Sequence, residues 1–480
     1  MSFGLKRWAA AACLATIFSA AAAPLAPEQL KDHLTRAVHI APDPSGAGST
    51  AAIRDFYVRR DYRPLWSSES RLSPRAVAVL AALARAAEHG LNPTLYGMPA
   101  LDERVRAGTA EGELALTRAY LEYTADISSG VIDRPRQVGR MYRDAKRLTP
   151  EQLLKGIAAA PDAAAYLARL PPDTHRYDAL KATLARYRQI ERNGGWGRIG
   201  QGPTLRHGVR SARVAEIKRR LVVTGELRGL GDTEAYDDAL TAAVKANIAD
   251  NELKLAENEH TVHTARIIVG QPYQQTPVFS ATMTQIEINP YWNVPRSIAV
   301  NEMLPTIRRN PGYLAANGYT LPTRSGDNTS AVNPHSVDWS MVERGNFPYF
   351  IRQFPGANNA LGSLLFRLPN PHNVYLHDTP AKRVFDRGAR FFSHGCMRVE
   401  NPMKLALLLL AGQEGWTEER INAVIATRTL RIVPLQRPIA VHVTYLTAWA
   451  ERDGAVQFRR DVYQRDSTVL AAFRQATQKR

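Results

Sequence analysis

Tyr375-Leu376-His377-Asp378-Thr379-Pro380, followed by Phe392-Ser393-His394-Gly395-Cys396-Met397-Arg398-Val399-Glu400-Asn401, is the stretch on which the reading of this sequence turns. It gathers two histidines, a cysteine and an arginine within about 25 residues, the side-chain types that thiol catalysis uses. A thiol has a pKa near about 8.5 and is mostly protonated at neutral pH, whereas an imidazole titrating near about 6.5 can take its proton. His394 lies two positions before Cys396, so in extended backbone both side chains project to one face. That spacing makes His394 the nearest base and His377 an orienter or oxyanion helper. Gly395 has no Cβ, which lets a carbonyl approach the backbone, and the N–H groups of Gly395 and Cys396 are candidate oxyanion donors. Arg398, again two positions on, places a guanidinium beside the thiol, where it lowers the thiol pKa or binds a carboxylate. The competing reading of the same spacing is two ordinary histidines near a strand end and an inert buried cysteine.

The N-terminus bears on that cysteine. Lys6 and Arg7 precede an uncharged run from Trp8 to Ala23 that ends in Ser19-Ala20-Ala21-Ala22-Ala23, the pattern of a secretory signal peptide over 1–22. The run of 16 residues is short for a membrane span of about 20, with an uncleaved anchor as the alternative. The chain of 480 residues has 2 cysteines, and the other, Cys13, lies inside this run. Export therefore leaves Cys396 as a lone thiol with no disulfide partner. A disulfide-dense scaffold and a zinc site of several thiolates are excluded, and no H-E-x-x-H or comparable ligand cluster occurs, so no cofactor or metal is expected.

Composition sets the outer limits. With 45% hydrophobic and 22% charged residues and a mean hydropathy of −0.30, this is a globular chain of roughly two to four domains, neither a multispan membrane protein nor wholly disordered. The net charge of +17, falling to +15 without Lys6 and Arg7, comes from arginines spread along the chain rather than from a basic block. No nucleic-acid partner is expected. The surplus is compatible with anionic peptides or lipid head groups.

Residues from about 50 to 192 read as helical. Ser73-Pro74, Thr149-Pro150, the run Leu114 to Ile127 and the run Tyr177 to Ile190 mark separate helices, and His89 reads as a surface or cap residue. A glycine-rich boundary at Asn193 to Pro203 precedes a short helical pair opened by Ser211 and closed by Lys245. The period then changes to 2, with strands expected around Leu253, Arg266 to Val269, Met283 to Asn289, Tyr349 to Phe354, Ser363 to Arg367, Asn373 to His377 and Ile439 to Trp449. Prolines at 305, 311, 322 and 334 make 300–345 read as a loop that covers a site.

The motif Ser393-His394-Gly395-Cys396 with Arg398, Asn401 and His377 resembles the signature of the YkuD-type L,D-transpeptidases. Asn289 to Pro295, Val337-Asp338-Trp339, Asn359 to Gly362, Asn370 to Asn373 and Tyr445 to Trp449 are similar to the long Gram-negative branch of that family, as are Phe56-Tyr57 and Tyr62 to Trp66. The resemblance implies a multidomain α and β chain: an all-α scaffold domain over 23–195, a peptidoglycan-binding-like module over 203–246, a β-sandwich-like catalytic domain over 247–455 with a capping loop at 300–345, and a tail over 456–480. The module departs from the family in being truncated, its second helix running from Lys245 almost at once into a strand around Ile248. It also implies a periplasmic, wall-associated enzyme acting on peptidoglycan stem peptides as donor and acceptor, alongside other wall-synthesis proteins. Cys396 would be the nucleophile and His377, rather than His394, the proton carrier. His394 and Gly395 would shape the site, Arg398 would meet substrate carboxylate, and Tyr375, Trp292 and Ser393 would contact the stem. Water as acceptor would instead give a carboxypeptidase or a hydrolase releasing wall-linked lipoprotein, and a non-catalytic envelope scaffold is the reading from another class.

Overall fold

The structure, a computed structural model, describes residues 24–37, 48–68, 71–132, 138, 140–142, 147–246, 251–258, 260–323, 330–451 and 454–478. The N-terminal run with Lys6, Arg7 and Cys13 lies outside the described residues. The chain divides into two units: residues 1–133, 145–188 and 473–480 form one, and 134–144 and 189–472 form the other.

Local capping sets the helices of the first unit. The Ser73 hydroxyl accepts the Ala76 N–H at 3.2 Å and opens Pro74–Ala84, and a reciprocal bond pair between Thr149 and Gln152 opens Pro150–Ala159. Around the Ala110–Ser129 helix, Leu114, Leu116, Tyr120 and Ile127 pack with Trp66, Leu83 and Leu154 in one apolar core. Glu113 is buried there, accepting the Trp66 N–H at 3.1 Å and the Tyr57 hydroxyl at 2.9 Å. The His175–Arg192 helix buries no residue, and His89 Nδ1 meets the Tyr177 hydroxyl at 2.8 Å.

The region is not wholly α, nor continuous over 23–195. Ser67–Ser68 pairs antiparallel with Arg71–Leu72. Met141–Tyr142 belongs to the second unit, where it adds a parallel strand beside Val278–Phe279 and Tyr142 rests on His372, ring centroids 4.1 Å apart. A two-residue strand carries too little periodicity to be read from sequence, because its pairing partner supplies its hydrogen bonds.

In the second unit, Ala212–Thr224 and Asp238–Ala246 are helices that bury Val214, Ala215, Leu240 and Ala243. Lys218 is buried with them, its ammonium donating to Asp237 at 2.5 Å and to the Asp232 carbonyl at 2.7 Å. The main sheet follows, in the order Phe391–Ser393, His260–Gly270, Met397–Val399, Leu376–His377, Leu364–Arg367, Val278–Ile288, Arg431–Val443. One face carries Ile267, Val269, Ile286, Ile288, Leu364, Phe366, Leu376, Met397 and Val399, covered by Leu405 and Ala406 of the Pro402–Leu409 helix and Ile421 of the Glu418–Ala426 helix. The fold class expected from the sequence, a helical N-terminal region followed by a β-rich domain, is the one observed.

Three local expectations differ. The stretch 300–345 is a folded cap rather than a loop. Helices and a four-stranded sheet between Trp292 and Gln353 enclose Ile298, Leu304, Ile307, Leu314, Trp339, Phe347 and Ile351. Its prolines misled because Pro305 lies just after the π-helical turn Ala299–Met303, where the i→i−4 ladder is already interrupted, and Pro322 ends a strand, both positions that tolerate a missing N–H. The strand expected over Ile439 to Trp449 begins at Arg431, is bulged between Pro434 and Ile439 and ends at Val443. The tail expected over 456–480 holds the Arg465–Gln478 helix, which follows Val456–Phe458, the return strand that the Asp453-Gly454 turn signal predicts and that pairs with Ala448–Ala450.

Glu113→Ala would leave the Leu65 and Trp66 N–H groups buried without an acceptor, so we expect it to lower thermal stability by about 2–4 kcal/mol, with Glu113→Gln much milder. Thermal melts of the two variants, followed by circular dichroism, check this.

Candidate active site

Leu376–His377 pairs in parallel with Met397–Val399, Leu376 opposite Met397 and His377 opposite Arg398. Leu376 and Met397 are buried in the core on one face of the sheet. Side chains alternate along a strand, so Tyr375 and His377 on one strand, and Cys396 and Arg398 on its neighbour, lie on the opposite face. The Met397 N–H donates to the Tyr375 carbonyl at 2.9 Å and carries the pairing down to the level of Cys396. On the next strand Leu365 lies opposite His377, and Glu287 lies opposite Leu365 beyond it.

The loop before the nucleophile is braced from within and from outside. Gly395 has φ +113°, a conformation that favours glycine. Its N–H donates to the Ser393 hydroxyl at 3.1 Å, and that hydroxyl donates to the Cys396 carbonyl at 2.5 Å. The Gly395 carbonyl accepts the buried Thr276 hydroxyl at 2.9 Å. The Cys396 N–H has no acceptor among the described residues. Of the two oxyanion donors expected from the sequence, Gly395 N–H is thus taken by Ser393 and Cys396 N–H is available.

His377 is buried, and its Nδ1 donates to the Asp378 carbonyl at 2.5 Å, which leaves Nε2 as the basic atom. Burial first, and the Arg398 charge second, push its pKa down to about 4. Asp378 holds this corner: its carboxylate accepts the Ser363 N–H at 3.0 Å and the Thr379 N–H at 2.7 Å, and pairs with Lys382. Gly362 packs so close to that carboxylate that a Cβ there would fall 2.4 Å from it.

Burial raises the Cys396 thiol pKa against the opposing pull of the Tyr375 N–H and the Arg398 charge. The thiol also lies 3.8 Å from the Asn373 carbonyl. Arg398 itself is largely buried, which lowers its pKa, and its Nε has no hydrogen-bond partner. A guanidinium in that state favours an arriving anion. Tyr375 lies beneath Arg367, 5.3 Å from its ring centroid, and Arg367 is paired with Glu287 at 2.6 Å.

The structure therefore brings Cys396, His377, Arg398, Tyr375, Gly395 and Ser393 together, with Ser393 spending its hydroxyl on the loop. His394 turns instead to Glu302 of the cap, Nε2 to Oε1 at 2.5 Å. Trp292 lies in the cap's sheet, its ring 6.2 Å from that of Tyr319. Thr276 and Glu302 went unnoticed in the sequence reading because nothing in their local sequence announces them, and Gly362 entered it only as the end of the run from Asn359. Asp378 stands inside the quoted motif, where its adjacency to His377 was the available signal. Among the described residues no group of three or more His, Cys, Asp or Glu side chains could hold a metal ion, and no helix is long and apolar enough to cross a membrane.

Residues 241–416 match the family described as the L,D-transpeptidase catalytic domain, YkuD. The chain carries a YkuD L,D-transpeptidase catalytic domain. Ahead of the YkuD domain, residues 51–184 match the family described as the Scaffold domain. A curated relative from Haemophilus influenzae, named "Putative L,D-transpeptidase", is 34% identical over 226 residues, which is 47% of this chain and 45% of that protein. The chain thus spans less than half the length of the relative it matches.

A raised thiol beside an imidazole of depressed pKa means that the YkuD domain rests as a neutral thiol and a neutral imidazole. Alkylation of Cys396 by iodoacetamide should accordingly rise with pH through one apparent pKa above about 8.5, without the low-pH plateau of a preformed thiolate–imidazolium pair. A rate already at its plateau near about pH 6 would contradict this charge state.

Proposed function

We propose that the chain is an L,D-transpeptidase that forms 3→3 peptidoglycan cross-links through a thioester on Cys396. The observation that carries the reading is the shared sheet face of Cys396, His377 and Arg398, fixed by the parallel register of two adjacent strands. It is supported by the match to the YkuD catalytic domain.

In this reading a tetrapeptide stem docks with a carboxylate on Arg398 and lies along Tyr375 beneath the cap, with Trp292 shaping the cap from within. Sγ attacks the carbonyl of the third stem residue while the thiol proton passes to Nε2 of His377. The carbonyl oxygen becomes an oxyanion and meets the Cys396 N–H. The bond to the terminal D-Ala nitrogen then breaks, that nitrogen takes the proton from His377, and D-Ala leaves a thioester behind. The side-chain amine of a second stem attacks the thioester and gives a proton to His377. The proton returns to sulfur as the C–S bond breaks.

A pKa pushed down to about 4 suits this cycle. His377 is fully available as a base at neutral pH, and once protonated it is a strong acid toward the leaving amine. His394 is removed from the base role by its bond to Glu302. The substrates place the enzyme at the cell wall, in the periplasm after export, among other wall-synthesis proteins.

The test is to incubate the purified protein with disaccharide-tetrapeptide and examine both the protein and the muropeptides by mass spectrometry. We expect a Cys396-linked tripeptide adduct, free D-Ala and a cross-linked dimer, with Cys396→Ala and His377→Ala each lowering adduct formation by roughly 10³-fold or more. An adduct forming at the wild-type rate in His377→Ala would return the base role to His394. Trimmed tripeptide without dimer would make water the acceptor.

A further inference from the structure

Gly395 creates a problem that its own sequence neighbours cannot solve. At φ +113° a glycine peptide has wide rotational freedom, yet the peptide joining Gly395 to Cys396 carries the Cys396 N–H, which has no acceptor among the described residues and can meet an oxyanion. Ser393 pins the Gly395 N–H and the Cys396 carbonyl, which belong to the peptides on either side. The intervening peptide is held from a distant part of the chain. Its carbonyl accepts the Thr276 hydroxyl at 2.9 Å, and because the peptide is planar and trans, fixing the C=O toward Thr276 directs the Cys396 N–H the opposite way.

Thr276 is in turn immobilised on every side. Its hydroxyl accepts the Gly270 N–H at 2.9 Å while donating to the Gly395 carbonyl, so it is held from both sides. Its own carbonyl accepts Arg465 Nη2 at 2.8 Å. Gly270 is clasped through its carbonyl by the Tyr463 hydroxyl at 2.6 Å, and it packs so tightly on the loop that a Cβ would lie 2.0 Å from the Gln274 carbonyl. Arg465 lies against the stacked rings of Tyr445 and Tyr463, 5.0 and 4.9 Å from their centroids, and donates to the Gln275 side chain. This hold is far more than a surface turn needs for its own stability.

We infer that Thr276 is a positioning residue for acyl transfer: its hydroxyl aims the Cys396 N–H at the oxygen of the substrate carbonyl, and the Tyr463–Arg465 segment holds Thr276 in place. This rests on the thioester reading above. It assigns a role in the chemistry to a residue that touches neither substrate nor sulfur.

Thr276→Val keeps the shape and removes the hydroxyl, whereas Thr276→Ser retains it. With a tetrapeptide donor, Thr276→Val should lower the acylation kcat by about 10- to 100-fold and leave KM within about threefold, since a misaimed donor is missed only in the transition state. Alkylation of Cys396 by iodoacetamide develops no oxyanion and should stay within about twofold of the wild type. Thr276→Ser should recover acylation to within about threefold. Tyr463→Phe, which loosens Gly270 instead, should show the same pattern to a smaller degree and decides the matter if Thr276→Val does not fold. Acylation by Thr276→Val at the wild-type rate, or a parallel loss of acylation and alkylation, would overturn the inference. A wild-type protein that never acylates would overturn the thioester reading itself, which separates the two failures.

Discussion

The parallel pairing of Leu376–His377 with Met397–Val399 is the constraint on which the site depends. Leu376 and Met397 are each almost wholly buried in the core beneath the sheet, and burying such a side chain contributes about 1.5–3 kcal/mol. A slip of one residue would turn both toward the site and push His377 and Arg398 into hydrocarbon. The register is thus fixed by apolar burial on one face, and the grouping of thiol, imidazole and guanidinium on the other face is its consequence.

The same rule explains why the nearest histidine in sequence faces Glu302 instead of following the strand register of Cys396. Alternation places residues two apart on one face only while the backbone stays extended. Gly395 breaks that condition with φ +113°, and His394 swings away to Glu302 while Cys396 stays at the strand end. His377, 19 residues upstream of Cys396, arrives by strand pairing. Proximity along the chain was a worse guide than the period-2 geometry of two neighbouring strands.

What the sequence made legible was what depends on few residues. Ser73, Thr149 and Ser211 each mark a helix start, and each caps its helix with its own hydroxyl. Cys396 was legible as a candidate nucleophile because a lone thiol among His, Gly and Arg has few other uses. The supports were not: Thr276 reaches Gly395 across 119 positions and Glu302 reaches His394 across 92, and no local pattern encodes such contacts. The cap was misread for a related reason. Pro305 falls just after a π-helical turn and Pro322 at a strand end, and its apolar residues, from Ile298 to Ile351, form a core only after the chain has folded back on itself.

The contact between Glu302 and His394 ties that cap to the nucleophile loop. Glu302 lies in Ala299–Met303, a π-helical turn between two α-helical segments. Such turns are rare and cluster at functional sites, because the extra residue shifts the angle of the side chains that follow without ending the helix. The sequence offered His394 as a base, and the structure makes it a tether. One of its ring nitrogens holds the cap, and its backbone neighbours Ser393 and Gly395 hold the thiol. His394 thereby links the cap, which has a separate core, to the loop that carries Cys396, within two residues of the thiol.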